Sequence, residues 1–433
     1  MSRRLAAPLA AALVASALAA LPAAPAGAQP RLCQGQPVTK VGRPGTTLVG
    51  TERPDVLVTN GAARVRALGG GDRICVTRTS GRRVRVLAGA GSDRVAVQVD
   101  GEAHVTAFLG TGGDLYRGHD GVDRVYGGDV EDAVQGVGTD DQRDYIETRG
   151  GDDTVTVGGS RGMLDRLDLG SGDDLVALRA DPTRGEGYIA AGLGRDELRV
   201  LGPIAADLHL DLPQDRATSG DTDVLWLLSL EDFQLRTPTA AAVRFTGTRT
   251  DETLDVNTVG SLDARLGRGD DAVEVDRLSG AASRLNGGPG VDAMQLGGRY
   301  DDSTVTIDAA RGTASTTAGD PDHIAVAGFE SLTGRGETVA VQGSDAPEML
   351  AALGCDLTVR GGAGADLVDV DAEFGYDELR CDARTTLGDG EGGADRLVGS
   401  RVDDVLVGGP GTDRADGGGG DDVCDAETVV RCG

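Results

Sequence analysis

Residues 408–425, GGPGTDRADGGGGDDVCD, are two tandem copies of a nine-residue unit, Gly-Gly-x-Gly-x-Asp followed by a short extended triplet. The first copy places Gly408, Gly409, Gly411 and Asp413, and the second Gly417, Gly418, Gly420 and Asp422. Glycine accepts positive φ, so the backbone folds tightly and aims consecutive carbonyls at one spot. The aspartate adds a carboxylate at the end of the turn. A hard cation such as Ca²⁺ takes about six to eight oxygens, and one such turn supplies roughly half of them. A second turn stacked above supplies the rest.

This spacing resembles the hemolysin-type, or RTX, calcium-binding repeat of secreted bacterial proteins. The resemblance implies a parallel β-roll with Ca²⁺ held between turns two nonapeptides apart. Asp413 then faces Asp395, and Asp422 faces Asp404, with Gly409, Gly411, Gly418 and Gly420 shaping the turns. Further metal ligands are expected at Asp93, Asp114, Asp174 and Asp271, and at the fuller motifs NGGPGVD, ending in Asp292, and RGGAGAD, ending in Asp366. For isolated copies such as Asp72 or Asp153 the plainer alternative is that Asp and Gly simply make good turns.

Elements that could stack these turns recur along the chain. Asp72, Asp93 and Asp114 lie 21 residues apart, each closing a glycine-rich turn, and short alternating strands such as Val84-Arg85-Val86-Leu87 lie between. One such repeat cannot bury its apolar face alone, whereas stacked repeats can. From Asp114 the step shortens to nine, through Asp123, Asp132 and Asp141. The longer step returns at Asp153, Asp174 and Asp196. The expected fold is all-β, a right-handed parallel β-helix or β-roll solenoid, on the order of 90 Å long at about 4.8 Å per stacked strand.

Two longer stretches, 205–256 and 305–352, resemble each other, with Asp211 matching Asp308 and Glu231 matching Glu330. Each reads as a strand that re-enters the solenoid after a longer turn. A second element recurs four times, as GTERPDVL (50–57), GTRTDETL (247–254), GSDAPEML (343–350) and GSRVDDVL (399–406). The expected organisation is a signal peptide at 1–28, an N-terminal solenoid at 29–204, a middle solenoid with the two long coils at 205–352, and a C-terminal calcium-binding roll at 353–433.

Composition limits the function classes. Asp and Glu number 70 against 42 basic residues, a net charge of -28 in 433 residues. Such a surface attracts cations and repels nucleic acid and anionic lipid. Arg3 and Arg4, an apolar stretch from Leu5 to Leu21, and Ala26-Gly27-Ala28 read as a secretory leader. No later apolar run is long enough to span a bilayer. A secreted, extracellular protein is expected, with envelope or extracellular surface components as partners. Six cysteines in an exported chain suggest disulfides. Fifteen pairings are open; the neighbour pairing Cys33–Cys75, Cys355–Cys381 and Cys424–Cys432 is the simplest.

Catalysis finds little support. Gly158-Gly159-Ser160-Arg161-Gly162 matches a nucleophile elbow, but in so glycine-rich a chain an accidental match is the simpler account. Arg268-Gly269-Asp270 spells an adhesion tripeptide inside a calcium-type turn. The four histidines form no H-E-x-x-H, and Trp226, in Val-Leu-Trp-Leu-Leu, reads as core. Two classes follow. The favoured one is a non-enzymatic calcium-binding protein with a structural, spacer or adhesion role. The other is a polysaccharide-active β-helix enzyme, a lyase or epimerase, which needs a clustered base, Arg clamps and aromatic platforms.

Overall fold

The computed structural model describes residues 31–78, 83–99, 103–118, 121–137, 142–158, 162–236, 240–278, 283–297, 304–316, 324–370 and 385–433. The leader segment, Ser160 and Cys381 lie outside these residues. Among the described residues the fold is all-β: short parallel strands stacked into a solenoid, with one 3-10 turn at Leu212–Gln214. Among the described residues no helix is long and apolar enough to cross a membrane, which leaves open what strands do.

Two long sheets face each other across a thin core. The first begins at Thr47–Thr51 and ends at Val423–Asp425; the second begins at Lys40–Val41 and ends at Thr428–Val430. Among the described residues the second contains nineteen strands, all parallel. Each terminal strand has a partner on one side only, so neither sheet closes on itself. Alternation decides which side chains enter the core. In Arg83–Ala90, Val84, Val86 and Ala88 are buried while Arg83 and Arg85 are exposed. The buried side chains form one continuous cluster from Leu48 to Ala415.

The two long coils do more than re-enter the solenoid. In the first sheet Gly187–Leu193 pairs with Thr222–Leu228, which is followed spatially by Arg216–Ser219, Leu208–Asp211 and then Ala242–Thr246. Arg216–Ser219 is antiparallel to both neighbours. The second insert repeats this, with antiparallel Thr313–Thr316 between Thr304–Asp308 and Ile324–Ala327. The second sheet makes no such detour, because Glu197–Val200 pairs directly with Asp232–Leu235. The first sheet thus gains two rungs at each insert. Large side chains fill the added space: Phe233 and Phe245 meet edge to face at 5.3 Å and are fully buried. Trp226, expected in the core, points outward and is 43 % exposed, while its neighbours Leu225 and Leu227 are buried. Strand alternation overrides hydrophobicity at that position.

Disulfides join Cys33 to Cys75 and Cys424 to Cys432, one at each end of the solenoid. Cys355 is also disulfide-bonded, and its expected partner lies outside the described residues.

Candidate metal centre

Each coil enters the second sheet through a turn that ends in an acid, and these acids stack. The backbone N–H of one donates to the carboxylate of the next. Asp55, Asp72, Asp93, Asp114, Asp132, Asp153, Asp174 and Asp196 are linked in this way at 2.6–2.9 Å. Asp196 then donates to Glu231, Glu252 to Asp271, Asp271 to Asp292, and Asp292 to Glu330. Glu348, Asp366, Asp395, Asp413 and Glu427 complete the edge at 2.8–2.9 Å. Asp93, Asp114, Asp174, Asp271, Asp292, Asp366, Asp395 and Asp413 therefore share one edge of the molecule. Asp404 and Asp422 stack on the opposite edge, where the Asp404 N–H meets Asp422 Oδ1 at 3.0 Å. Both expected pairs, Asp395 with Asp413 and Asp404 with Asp422, are adjacent rungs.

Two stacking partners differ from the nine-residue spacing. Asp123 sits on the opposite edge from Asp114 and pairs with Asp144, 21 residues away, while Asp141 lies outside the described residues. Asp366 pairs with Asp395, 29 residues away. The glutamate rungs Glu231, Glu252, Glu330, Glu348 and Glu427 were not expected in this role. The internal repeat had already aligned Glu231 with Glu330, and Glu252 with Glu348, and that alignment was the available signal.

Each stacked aspartate uses one oxygen on its neighbour, and the sequence of the turn decides what meets the other. In GTERPDVL, Thr51 donates both its N–H and its hydroxyl to Asp55 Oδ2, at 2.7 and 2.8 Å. In GSDAPEML, Ser344 donates its N–H and hydroxyl to Glu348. Thr248 does the same for Glu252, and Ser400 for Asp404. Asp404 accepts from Thr386 as well. The rungs of Asp55, Glu348 and Asp404 are closed, whereas Glu252 keeps Oε2 buried without a partner because Thr248 and Thr250 both bond Oε1. In Gly-Gly-x-Gly-x-Asp turns a glycine replaces the hydroxyl residue, and in the turn before Asp395 Glu391 does. The Oδ2 atoms of Asp292, Asp366, Asp395, Asp413 and Asp422 are then buried without a hydrogen-bond partner. The same holds for Asp93, Asp114, Asp174 and Asp271. A buried polar atom left in this way is costly unless something else satisfies it. These are open rungs.

In the rungs of Asp292, Asp366, Asp395, Asp413 and Asp422 the glycine five residues before the acid makes room for that oxygen. A Cβ on Gly408 would sit 2.6 Å from Asp413 Oδ2, and one on Gly390 would sit 2.5 Å from Asp395 Oδ2. Gly409 and Gly418 adopt φ of 94° and 85° and lie against the carbonyls of Glu391 and Ser400 in the adjacent rung. Gly411 packs on the Gly393 carbonyl and Gly420 on Val402. Open rungs thus gather carboxylate and carbonyl oxygens at the points where turns stack. Among the described residues no three Asp, Glu, His or Cys side chains converge. A cation here would be held by stacked carboxylate pairs together with main-chain carbonyls. That oxygen-only set fits Ca²⁺ and does not suit soft transition metals.

Residues 389–424 match the family model of the RTX calcium-binding nonapeptide repeat, in four copies. They contain Asp395, Asp404, Asp413 and Asp422 together with all six glycines of the two C-terminal motifs. No curated protein matches the chain.

The electrostatics differ along the edge. Burial pushes Asp93, Asp114 and Asp174 up to about 7, and Asp72, Asp153 and Asp196 up to about 6. Asp395 is raised by burial first and then by the charges of Asp366 and Asp413 on either side. In the closed rung of Asp55 burial acts upward too, but the bonds from Thr51 and Thr39 outweigh it and hold the carboxyl low. Glu252, whose Oε2 stays buried without a partner, rises to about 7 because burial dominates there.

Proposed function

We propose that this is an exported, non-enzymatic calcium-binding repeat protein, in which Ca²⁺ between stacked open rungs locks an extracellular solenoid serving as a structural, spacer or adhesion element. The reading is carried by the open oxygens of Asp366, Asp395 and Asp413 on one edge, and of Asp422 on the other, within or beside the RTX repeats. The ion would be held by these carboxylates and by the carbonyls packed on Gly409, Gly411, Gly418 and Gly420. Bound there, it supplies positive charge between carboxylates that otherwise repel, and satisfies the oxygens that the turns leave open. Asp93, Asp114, Asp174, Asp271 and Asp292 present the same open oxygen and are proposed as further positions. Extracellular modules bind Ca²⁺ at about 10⁻⁴–10⁻³ M, which suits an exported protein. At a hundredfold excess over its dissociation constant one site adds about 2.7 kcal/mol of stability.

Calorimetric titration of the full chain, after chelator treatment, tests this reading. Millimolar Ca²⁺ should bind at more than one site and raise the melting temperature, with Mg²⁺ a poor substitute because it demands a smaller octahedral shell. An identical melting curve with and without Ca²⁺ would reduce these motifs to turns.

A further inference from the structure

The outer face of the first sheet carries an ordered row of arginines. Strand register places Arg64, Arg85, Thr106, Arg124, Tyr145, Arg166, Tyr188 and Trp226 in one column, one residue per rung. From Arg85 onward an arginine alternates with an uncharged residue. Each of these arginines lies on a ring one rung further along: Arg85 over Phe108 at 4.7 Å, Arg124 over Tyr145 at 5.2 Å, and Arg166 over Tyr188 at 4.0 Å. Phe108 itself stacks on Tyr126 at 4.8 Å and 12°. Five of the twelve aromatics in the chain, Phe108, Tyr126, Tyr145, Tyr188 and Trp226, are thus committed to this one face. Aromatics on an exposed face are unexpected when so few exist to fill a core.

The charges are as unusual as the rings. Acids outnumber bases 70 to 42, yet among the described residues Arg85, Arg124 and Arg166 have no carboxylate within salt-bridge reach. Further along, Arg216, Arg244 and Arg265 on the same sheet each meet an aspartate at 2.9–3.8 Å. Stacking on a ring fixes the guanidinium plane while leaving its N–H edges to solvent, ready for bidentate contact with a carboxylate. Arg83 and His104 border the column, and the surface between them forms a shallow groove of about 700 Å³ floored by Val84 and Thr106.

We propose that this column binds a linear acidic polysaccharide carrying one carboxylate per disaccharide, lying along the solenoid axis. Arg85, Arg124 and Arg166 recur every second rung, about 10 Å apart at about 4.8 Å per rung. That interval is close to the length of a disaccharide, so successive carboxylates meet successive guanidinium groups. Tyr145, Tyr188 and Thr106 lie opposite the uncharged sugars between them. Sparse charge also favours this ligand over a nucleotide strand, which carries a phosphate on every residue and is repelled more strongly by a protein of net charge -28.

Hyaluronate, neutral dextran and poly(dT) of matched length serve as probes for the full-length protein, by calorimetry at low salt with Ca²⁺ present. Hyaluronate should bind, with dextran and poly(dT) at least tenfold weaker. Arg85→Gln/Arg124→Gln/Arg166→Gln should weaken hyaluronate binding at least thirtyfold, and Arg124→Lys alone about tenfold, since lysine neither stacks flat nor binds bidentately. Arg244→Gln/Arg265→Gln should leave binding unchanged. Chemical modification of wild-type arginines guards against a misfolded variant: hyaluronate should protect Arg85, Arg124 and Arg166 from phenylglyoxal and leave Arg244 reactive. Absence of hyaluronate binding, equal affinity for poly(dT), or equal protection of Arg244 would overturn the proposal.

Discussion

The N-terminal coils and the C-terminal coils use one turn architecture with different amounts of core behind it. The coil built from Arg83–Ala90 and Arg94–Val97 buries Val84, Val86, Ala88, Val95 and Val97. The coil built from Asp404–Val407 and Arg414–Asp416 buries only Leu406 and Ala415 as apolar side chains. Three buried valines are worth on the order of 5 kcal/mol. The N-terminal coils therefore have surplus burial to offset an acid held away from water. The C-terminal coils have little, and Asp395, Asp413 and Asp422 there each keep an open oxygen. On the proposed reading, similar glycine-aspartate turns are structural in one region and depend on a ligand in another, according to the core beside them.

Calcium removal should break the comparison most visibly. In chelator, hydrogen exchange should rise sharply over 385–433 while 83–200 stays protected, and millimolar Ca²⁺ should restore the C-terminal protection. Uniform exchange across both regions would erase the proposed distinction. Next in size is Gly408→Ala. Its Cβ would lie 2.6 Å from Asp413 Oδ2, so the carboxylate must leave its seat. Calcium affinity should drop at least tenfold, read by calorimetry, and Asp413→Ala should do the same. Gly220→Ala, where nothing lies within 4 Å, should leave calcium affinity unaltered.

Acidity probes the other region. The folded state holds Asp93, Asp114 and Asp174 near 7, whereas in an unfolded chain they titrate near 3.8. Folding therefore takes up protons between about pH 4 and 7, so the calcium-free protein should lose stability as pH rises through that window and level off above it. Its melting temperature in chelator should be higher at pH 5 than at pH 8. Asp114→Asn, which cannot ionise, should flatten that slope. An unchanged slope would show that these acids ionise freely in the fold.

A smaller effect is expected at a closed rung. Thr51→Val removes the hydroxyl bond to Asp55 Oδ2 and should cost about 1–2 kcal/mol in denaturant unfolding, with no change in calcium stoichiometry. Smallest of all is Asp270→Ala. Asp270 is exposed and accepts only the Val291 N–H at 2.9 Å, so its loss should stay within about 0.5 kcal/mol.

Much of this was legible in the chain itself. The 21-residue spacing of Asp72, Asp93 and Asp114 specifies stacked coils, because only a parallel solenoid returns residues so spaced to one edge. The Gly-Gly-x-Gly-x-Asp turns specify where oxygens gather, since glycine most readily takes both the positive φ and the approach of the next carbonyl. The Ser or Thr four residues before the acid, which donates to the carboxylate of Asp55, Glu252, Glu348 and Asp404, was also present in the four GTERPDVL-type copies. Its meaning needed coordinates, because a hydroxyl aimed at a carboxylate and one aimed at water are spelled alike.

Tertiary structure alone decided three things. It paired Asp366 with Asp395 and Asp123 with Asp144, since stacking follows coil length and intervening residues change that length. It turned the two long coils into meanders with antiparallel strands, which widen the first sheet and call for Phe233 and Phe245 in the core. It also turned Trp226 outward and aligned it with Tyr188, Arg166, Tyr145, Arg124 and Arg85. Those residues are scattered over 142 positions of sequence, and no local pattern links them. Parallel register does, because it converts residues one coil apart into neighbours one strand apart.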